Sequence, residues 1–110
     1  MKHKIIAVDF DGTLCTNCYP YIGDPNLLLF EYLKTQKEHG SKIILWTCRS
    51  KKLLEEAVTW CEEHGLTFDA VNENLPEIIK AFGSDTRKIF ANEYIDDLAS
   101  TKFKLPYERC

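Results

Sequence analysis

No apolar run in this 110-residue sequence approaches the ~20 residues that a helix needs to cross a bilayer, so no membrane association is expected. A signal-peptide pattern is missing too. Met1-Lys2-His3-Lys4 is basic, but the apolar stretch behind it is short and runs straight into two aspartates. The expected compartment is the cytoplasm. Excess positive charge is also lacking: 14 Lys and Arg against 17 Asp and Glu leave a formal net charge of −3, which gives no general pull toward nucleic acid. Nor do the cysteines form an even set. Five of them (Cys15, Cys18, Cys48, Cys61 and Cys110) with no secretory signal argue for thiols in a reducing compartment and against a disulfide framework. Cys15 and Cys18 have C-x-x-C spacing. A zinc site would need a second ligand pair, however, and the other close pair, Cys61 and His64, falls inside a predicted helix. A redox pair would be expected to open a helix, whereas this one sits in a loop. Repeats, low-complexity stretches and linkers are absent, and the composition is ordinary for one globular domain spanning 1–110.

What is present is organised around Ile5-Ile6-Ala7-Val8-Asp9-Phe10-Asp11-Gly12-Thr13-Leu14. The apolar run is short, β-branched and without helical or alternating periodicity, which predicts a strand buried on both faces of a parallel sheet. Asp9 and Asp11 are two positions apart, so in extended geometry they project to the same side. Asp-Gly is a common turn signal and explains Asp11-Gly12. It does not account for Asp9, at the mouth of a buried strand.

Downstream, residues 15–26 are punctuated by Pro and Gly and predict an ordered loop or short flap. Asp24 or Pro25 is placed to start a helix. Leu27, Leu28, Phe30 and Leu33 fall at helical spacing, and Gly40 closes that helix. Lys42 to Trp46 predicts a second strand followed directly by Thr47. Ser50 is placed to cap an amphipathic helix over Leu53 to Gly65. Phe68 to Val71 predicts a weak third strand, Pro76 to Gly83 a short helix, and Glu93-Tyr94-Ile95 the core of a fourth strand ending in Asp96-Asp97. The segment 98–110 predicts poorly. The order β-α-β-α-β-α-β with short joints implies an α/β, Rossmann-like three-layer sandwich with a mostly parallel sheet of about four strands in the order 3-2-1-4.

In such a sheet the carboxyl ends lie on one edge, so Asp9, Asp11, Thr47, Asp96 and Asp97 converge on one crevice. Buried carboxylates cost several kcal/mol each unless paired. A divalent cation resolves that conflict, and Mg²⁺ suits oxygen ligands with retained water. The chemistry implied is attack on phosphorus.

Asp9-Phe-Asp11-Gly12-Thr13-Leu14 resembles the first signature of the haloacid dehalogenase-like hydrolase superfamily, whose members are mostly Mg²⁺-dependent phosphatases. Thr47 resembles its second motif, Lys88 the lysine of the third, and Tyr94-Ile95-Asp96-Asp97 the two-aspartate form of the fourth. The four occur in order across residues 5–97. The resemblance implies a nucleophilic Asp9 that forms an aspartyl-phosphate and an acid/base Asp11. It implies Mg²⁺ held by Asp9, the Asp11 backbone carbonyl and Asp96, with Asp97 acting through water. It implies a phosphate grip by Thr47, the amides from Cys48 to Ser50, and Lys88, which competes with Lys80 for that part. Leu45-Trp46-Thr47-Cys48-Arg49 is also similar to the matching stretch of nucleotide and polynucleotide phosphatases, so Arg49 is a substrate contact or else a surface cation. Asn72 and Asn74 contact the leaving group or form an ordinary strand-to-helix joint. The implied partner is a small phosphorylated substrate (a nucleotide or sugar phosphate) or a nucleic-acid end. Only about thirty residues separate Asp11 from the second strand, which leaves no room for a cap domain. The site is therefore expected to be open or covered by another subunit in a homo-oligomer.

Two other readings compete. A phosphoacceptor receiver domain has the same general architecture but carries its acceptor aspartate after the third strand, where this chain has Val71-Asn72. A non-catalytic phosphate- or metal-binding module would not need both Asp9 and Asp11.

Overall fold

A computed structural model of the protein describes residues 3–96; Asp97 and the segment 98–110 lie outside the described residues. The elements are β1 (Ile5–Val8), α1 (Leu27–Glu38), β2 (Lys42–Leu45), α2 (Lys51–Glu63), β3 (Ala70–Val71), α3 (Pro76–Phe82) and β4 (Glu93–Ile95). All strand pairs are parallel, in the order β3-β2-β1-β4. This is the expected Rossmann-like architecture, and only a loop and α1 separate β1 from β2.

The side-chain alternation of β1 sorts the core into two layers. Ile6 and Val8 join Phe10, Leu29, Phe30, Leu33, Ala57 and Cys61 on the face covered by α1 and α2. Ile5 and Ala7 join Ile44, Leu75, Ile78 and Ile89 on the face covered by α3. A strand buried on both faces needs apolar residues at every position, which is why β1 carries an unbroken run.

Two boundaries differ from the sequence expectation, each for a tertiary reason. Helix α1 is capped by Asn26, not by Asp24 or Pro25. The Asn26 side-chain oxygen accepts from the Leu29 amide at 3.3 Å, and its Nδ2 donates to the Thr13 carbonyl at 3.0 Å. That cap sets the phase of the helix, so Leu29, Phe30 and Leu33 are buried while Leu27 and Leu28 are exposed. Strand β3 is two residues long because Asp69 replaces a ladder partner with its side chain, accepting from the Ile43 amide at 2.8 Å. Ser50 stands at the start of α2 but makes no side-chain cap bond.

Candidate active site

The register brings the polar strand ends together. Val8 pairs with Leu45 on one side and with Ile95 on the other, so Asp9 lies between Trp46 and Asp96 one step beyond the sheet. The Asp9 amide continues the ladder by donating to the Ile95 carbonyl at 2.9 Å, and the Trp46 amide donates to the Val8 carbonyl at 2.9 Å. Asp9, Thr47 and Asp96 line one crevice of about 330 Å³ with Ala7, Trp46, Cys48, Tyr94 and Ile95. Ala7 and Tyr94 belong to the α3 layer, so the crevice opens on that side of the sheet. Thr13 Oγ1 donates to Asp9 Oδ2 over a long 3.4 Å.

Thr47 is held from two directions. Its amide donates to Asn72 Oδ1 at 2.7 Å, and its hydroxyl oxygen accepts from the Arg49 amide at 3.1 Å. The hydroxyl proton is thereby directed away from Arg49. Asn72 is itself left-handed, with φ at 55°, and its amide donates to the Leu45 carbonyl. Its side-chain oxygen therefore splints the loop after β2 instead of reaching outward.

Asp11 is not among the residues that line this crevice, although its side chain keeps 20% exposure. The chain turns at Phe10, whose carbonyl accepts from the amides of Thr13 and Leu14, and Gly12 takes a φ of 80°. The turn follows Asp11 directly. Asp11 meets Arg49 in a two-pronged pair, Nε to Oδ2 at 2.9 Å and Nη2 to Oδ1 at 2.8 Å. Nor is Arg49 a surface cation: its side chain is 0% exposed. It also donates to the carbonyls of Pro20 at 3.2 Å and Tyr21 at 2.9 Å, and its guanidinium lies over the rings of Phe10 and Tyr19. The hydrogen bonds to Asp11 hold its pKa above the ordinary arginine value, against the effect of burial.

The flap over residues 15–26 is thus closed onto Asp11, and none of its residues lines the crevice. It is tied by the Thr16 amide to the Asp24 carbonyl and by the Asp24 amide to Thr16 Oγ1. Gly23 is required by this closure: a Cβ there would stand 2.0 Å from Thr16 Oγ1 and 2.6 Å from the Thr16 carbonyl oxygen. Cys15 and Cys18 are both buried, and burial pushes the Cys15 thiol up to about 11. That environment suits neither a reactive thiolate nor a redox pair.

Lys88 is exposed and falls outside the crevice lining. It lines an adjoining hollow of about 360 Å³ with Phe82, Thr86, Phe90, Ala91 and Tyr94, so Tyr94 is the wall between the two spaces. Asn74 is fully buried and does not reach a leaving group. Its Nδ2 donates to Asp85 and Thr86, and its Oδ1 accepts from the Phe90 amide at 2.7 Å. Asn74 thereby fixes the connector that bears Lys88. Lys80 lies exposed on α3. No three His, Cys, Asp or Glu side chains come together as a metal cluster among the described residues. Asp9 and Asp96, on neighbouring strands, are the described carboxylates on the crevice.

Trp46 and Tyr94 are the lining residues that the sequence reading did not single out. Each had a signal available. Trp46 occupies the same place after β2 that Asp9 occupies after β1, and Tyr94 stands two residues before Asp96, on the same face.

Neither a family model nor a curated protein matches the chain. Among solved structures, a conserved protein from Bacteroides thetaiotaomicron is 38% identical, with the match covering 96% of this chain and 84% of that one at a TM-score of 0.77.

Proposed function

The chain belongs to the family of the conserved Bacteroides thetaiotaomicron protein, and within that family we propose that it is a Mg²⁺-dependent phosphomonoesterase of the haloacid dehalogenase-like type. The reading is carried by one observation, the convergence of Asp9, Thr47 and Asp96 on a single crevice from the ends of three adjacent strands. Two carboxylates side by side on neighbouring strands repel unless a cation or a proton is shared between them. Hard oxygen donors with room for water suit Mg²⁺. Asp9, the Asp11 backbone carbonyl and Asp96 would hold it, with Asp97 as a further ligand through water. When bound, the ion offsets charge on the phosphoryl oxygens.

Asp9 attacks phosphorus through a carboxylate oxygen, the bond to the leaving oxygen breaks, and an aspartyl-phosphate forms. Water then attacks phosphorus, phosphate departs, and Asp9 is restored. Thr47 donates its hydroxyl to a phosphoryl oxygen beside Cys48, and Lys88 supplies positive charge from the adjoining hollow. Asp11 manages the protons under a constraint that Arg49 imposes. Each Asp11 oxygen accepts from the guanidinium and keeps a lone pair, so it can take a proton from the attacking water. Donating a proton to the leaving oxygen runs against the same clamp. Substrates whose leaving groups depart as stable anions are favoured accordingly.

p-Nitrophenyl phosphate has such a leaving group. The purified protein should hydrolyse it with added Mg²⁺ and lose that activity with chelator. Asp9→Asn should lower the rate by at least about a thousandfold. Full activity in that variant would remove Asp9 as the nucleophile.

A further inference from the structure

The crevice carries more than a phosphate grip. Its polar side chains are Asp9, Thr47 and Asp96, and all three are assigned to phosphate and metal. The rest of its wall is apolar or aromatic. Trp46, 40% exposed, and Tyr94 face each other with ring centroids 5.9 Å apart and planes 54° apart. The Tyr94 hydroxyl is spent inside the protein, since it donates to the Ile89 carbonyl and accepts from the Ala91 amide. Beyond Tyr94 the hollow continues with the edge-on pair Phe82 and Phe90 and the exposed cation Lys88.

A sugar phosphate would need hydroxyl and amide partners for its own hydroxyls, and beyond the residues already assigned the side chains of the described wall offer only the weakly bonding Cys48 thiol. A planar ring is what such a wall can hold, because base-on-aromatic contact needs no hydrogen-bond partner. Each space is near the lower bound of small-ligand sites, about 300 Å³, which fits a single nucleotide. The net charge of −3 gives no broad electrostatic track for a polymer. Lys88 supplies one local cation, which complements one phosphate.

We propose that the crevice is a nucleoside monophosphate site, with the base against the Trp46–Tyr94 wall and the phosphate at Asp9 and Thr47. Trp46 is then the residue that sets specificity. The proposal rests on the phosphatase reading for where the phosphate lies, so its test is a binding measurement that needs no turnover. The Asp9→Asn protein is titrated with AMP, CMP and ribose 5-phosphate in the presence of Mg²⁺, with affinities read by calorimetry. Stacking of one base is worth about 1–3 kcal/mol, so the nucleotides should bind at least about fivefold tighter than ribose 5-phosphate.

In the same background Trp46→Leu should bring the three ligands to within about twofold of one another, and Trp46→Phe should restore most of the difference. Equal affinity for AMP and ribose 5-phosphate would overturn the proposal. So would a nucleotide preference that Trp46→Leu leaves intact, or a strong preference for an oligonucleotide over AMP. Should Trp46→Leu fail to fold, Trp46→Phe and Tyr94→Leu provide the same comparison. A protein that binds AMP selectively but hydrolyses no phosphomonoester would retain this site and refute the phosphatase. One that hydrolyses p-nitrophenyl phosphate without any nucleotide preference would do the reverse.

Discussion

Asp9 and Asp11 carry the same side chain two residues apart and are both partly exposed, but the fold gives them different neighbours. Asp9 stands on an open crevice, between Trp46 and Asp96 at the end of the sheet. Asp11 is locked to a guanidinium that is wholly buried and that also ties down the flap. Both carboxylates are partly exposed, and the buried group is the Arg49 guanidinium behind Asp11. The Asp11 charge therefore has a structural role, because Arg49 has no water to fall back on. On the crevice side Asp9 and Asp96 stand close together, and a bound cation would offset their repulsion.

The sharpest way to break this contrast is to remove the same charge at each position. Asp11→Asn keeps the shape of the side chain but leaves Arg49 buried and unpaired, and should cost about 3 kcal/mol or more of unfolding free energy. Asp9→Asn should change stability by less than about 1 kcal/mol, although it removes the proposed nucleophile. Urea denaturation of the two variants at neutral pH decides the matter. Equal losses would mean that the two aspartates do not differ in structural role.

A smaller effect follows from the buried thiols of Cys15 and Cys61. Burial pushes Cys15 to about 11 and Cys61 to about 12, whereas an unfolded thiol titrates near 9. A raised folded pKa means that the native protein holds its proton longer. The stability this contributes is complete below about pH 9 and is lost as pH rises through 11 and 12. The midpoint of unfolding should stay flat up to about pH 8.5 and then fall, by at most about 1.4 kcal/mol per pH unit for each thiol. Lys4, whose pKa is raised chiefly by its bond to Glu93, adds to the same trend at still higher pH, weakly because it is well exposed. A profile flat to pH 11 would contradict the burial of Cys15 and Cys61.

How far the sequence anticipates this arrangement depends on the range of the interactions involved. The parallel order β3-β2-β1-β4 and the meeting of Asp9, Thr47 and Asp96 follow from short apolar runs and the common edge of a parallel sheet, which are local patterns with one geometric consequence. The start of α1 was harder to read. Asp24, Pro25 and Asn26 are each acceptable there, and the bond from Asn26 to Thr13, thirteen residues away, makes the choice. Arg49 was not legible at all, since its partners lie 28 to 38 residues away along the chain and nothing adjacent to it marks it as buried. Asn74 stays open in the sequence, between a leaving-group contact and a strand-to-helix joint, for a similar reason. Placed in a polar run, it looks outward in sequence, yet its partners Asp85, Thr86 and Phe90 enclose it.

The central claim is that Asp9 on the crevice, and not Asp11 in the grip of Arg49, takes the phosphoryl group. The direct measurement is acid quenching during turnover of p-nitrophenyl phosphate with Mg²⁺, followed by mass spectrometry of the digested protein. The account predicts one phosphoryl group on the peptide that contains Asp9, localised to Asp9 by fragmentation and absent from Asp9→Asn. A phosphoryl group on Asp11, on Cys48 or on any other residue would contradict it.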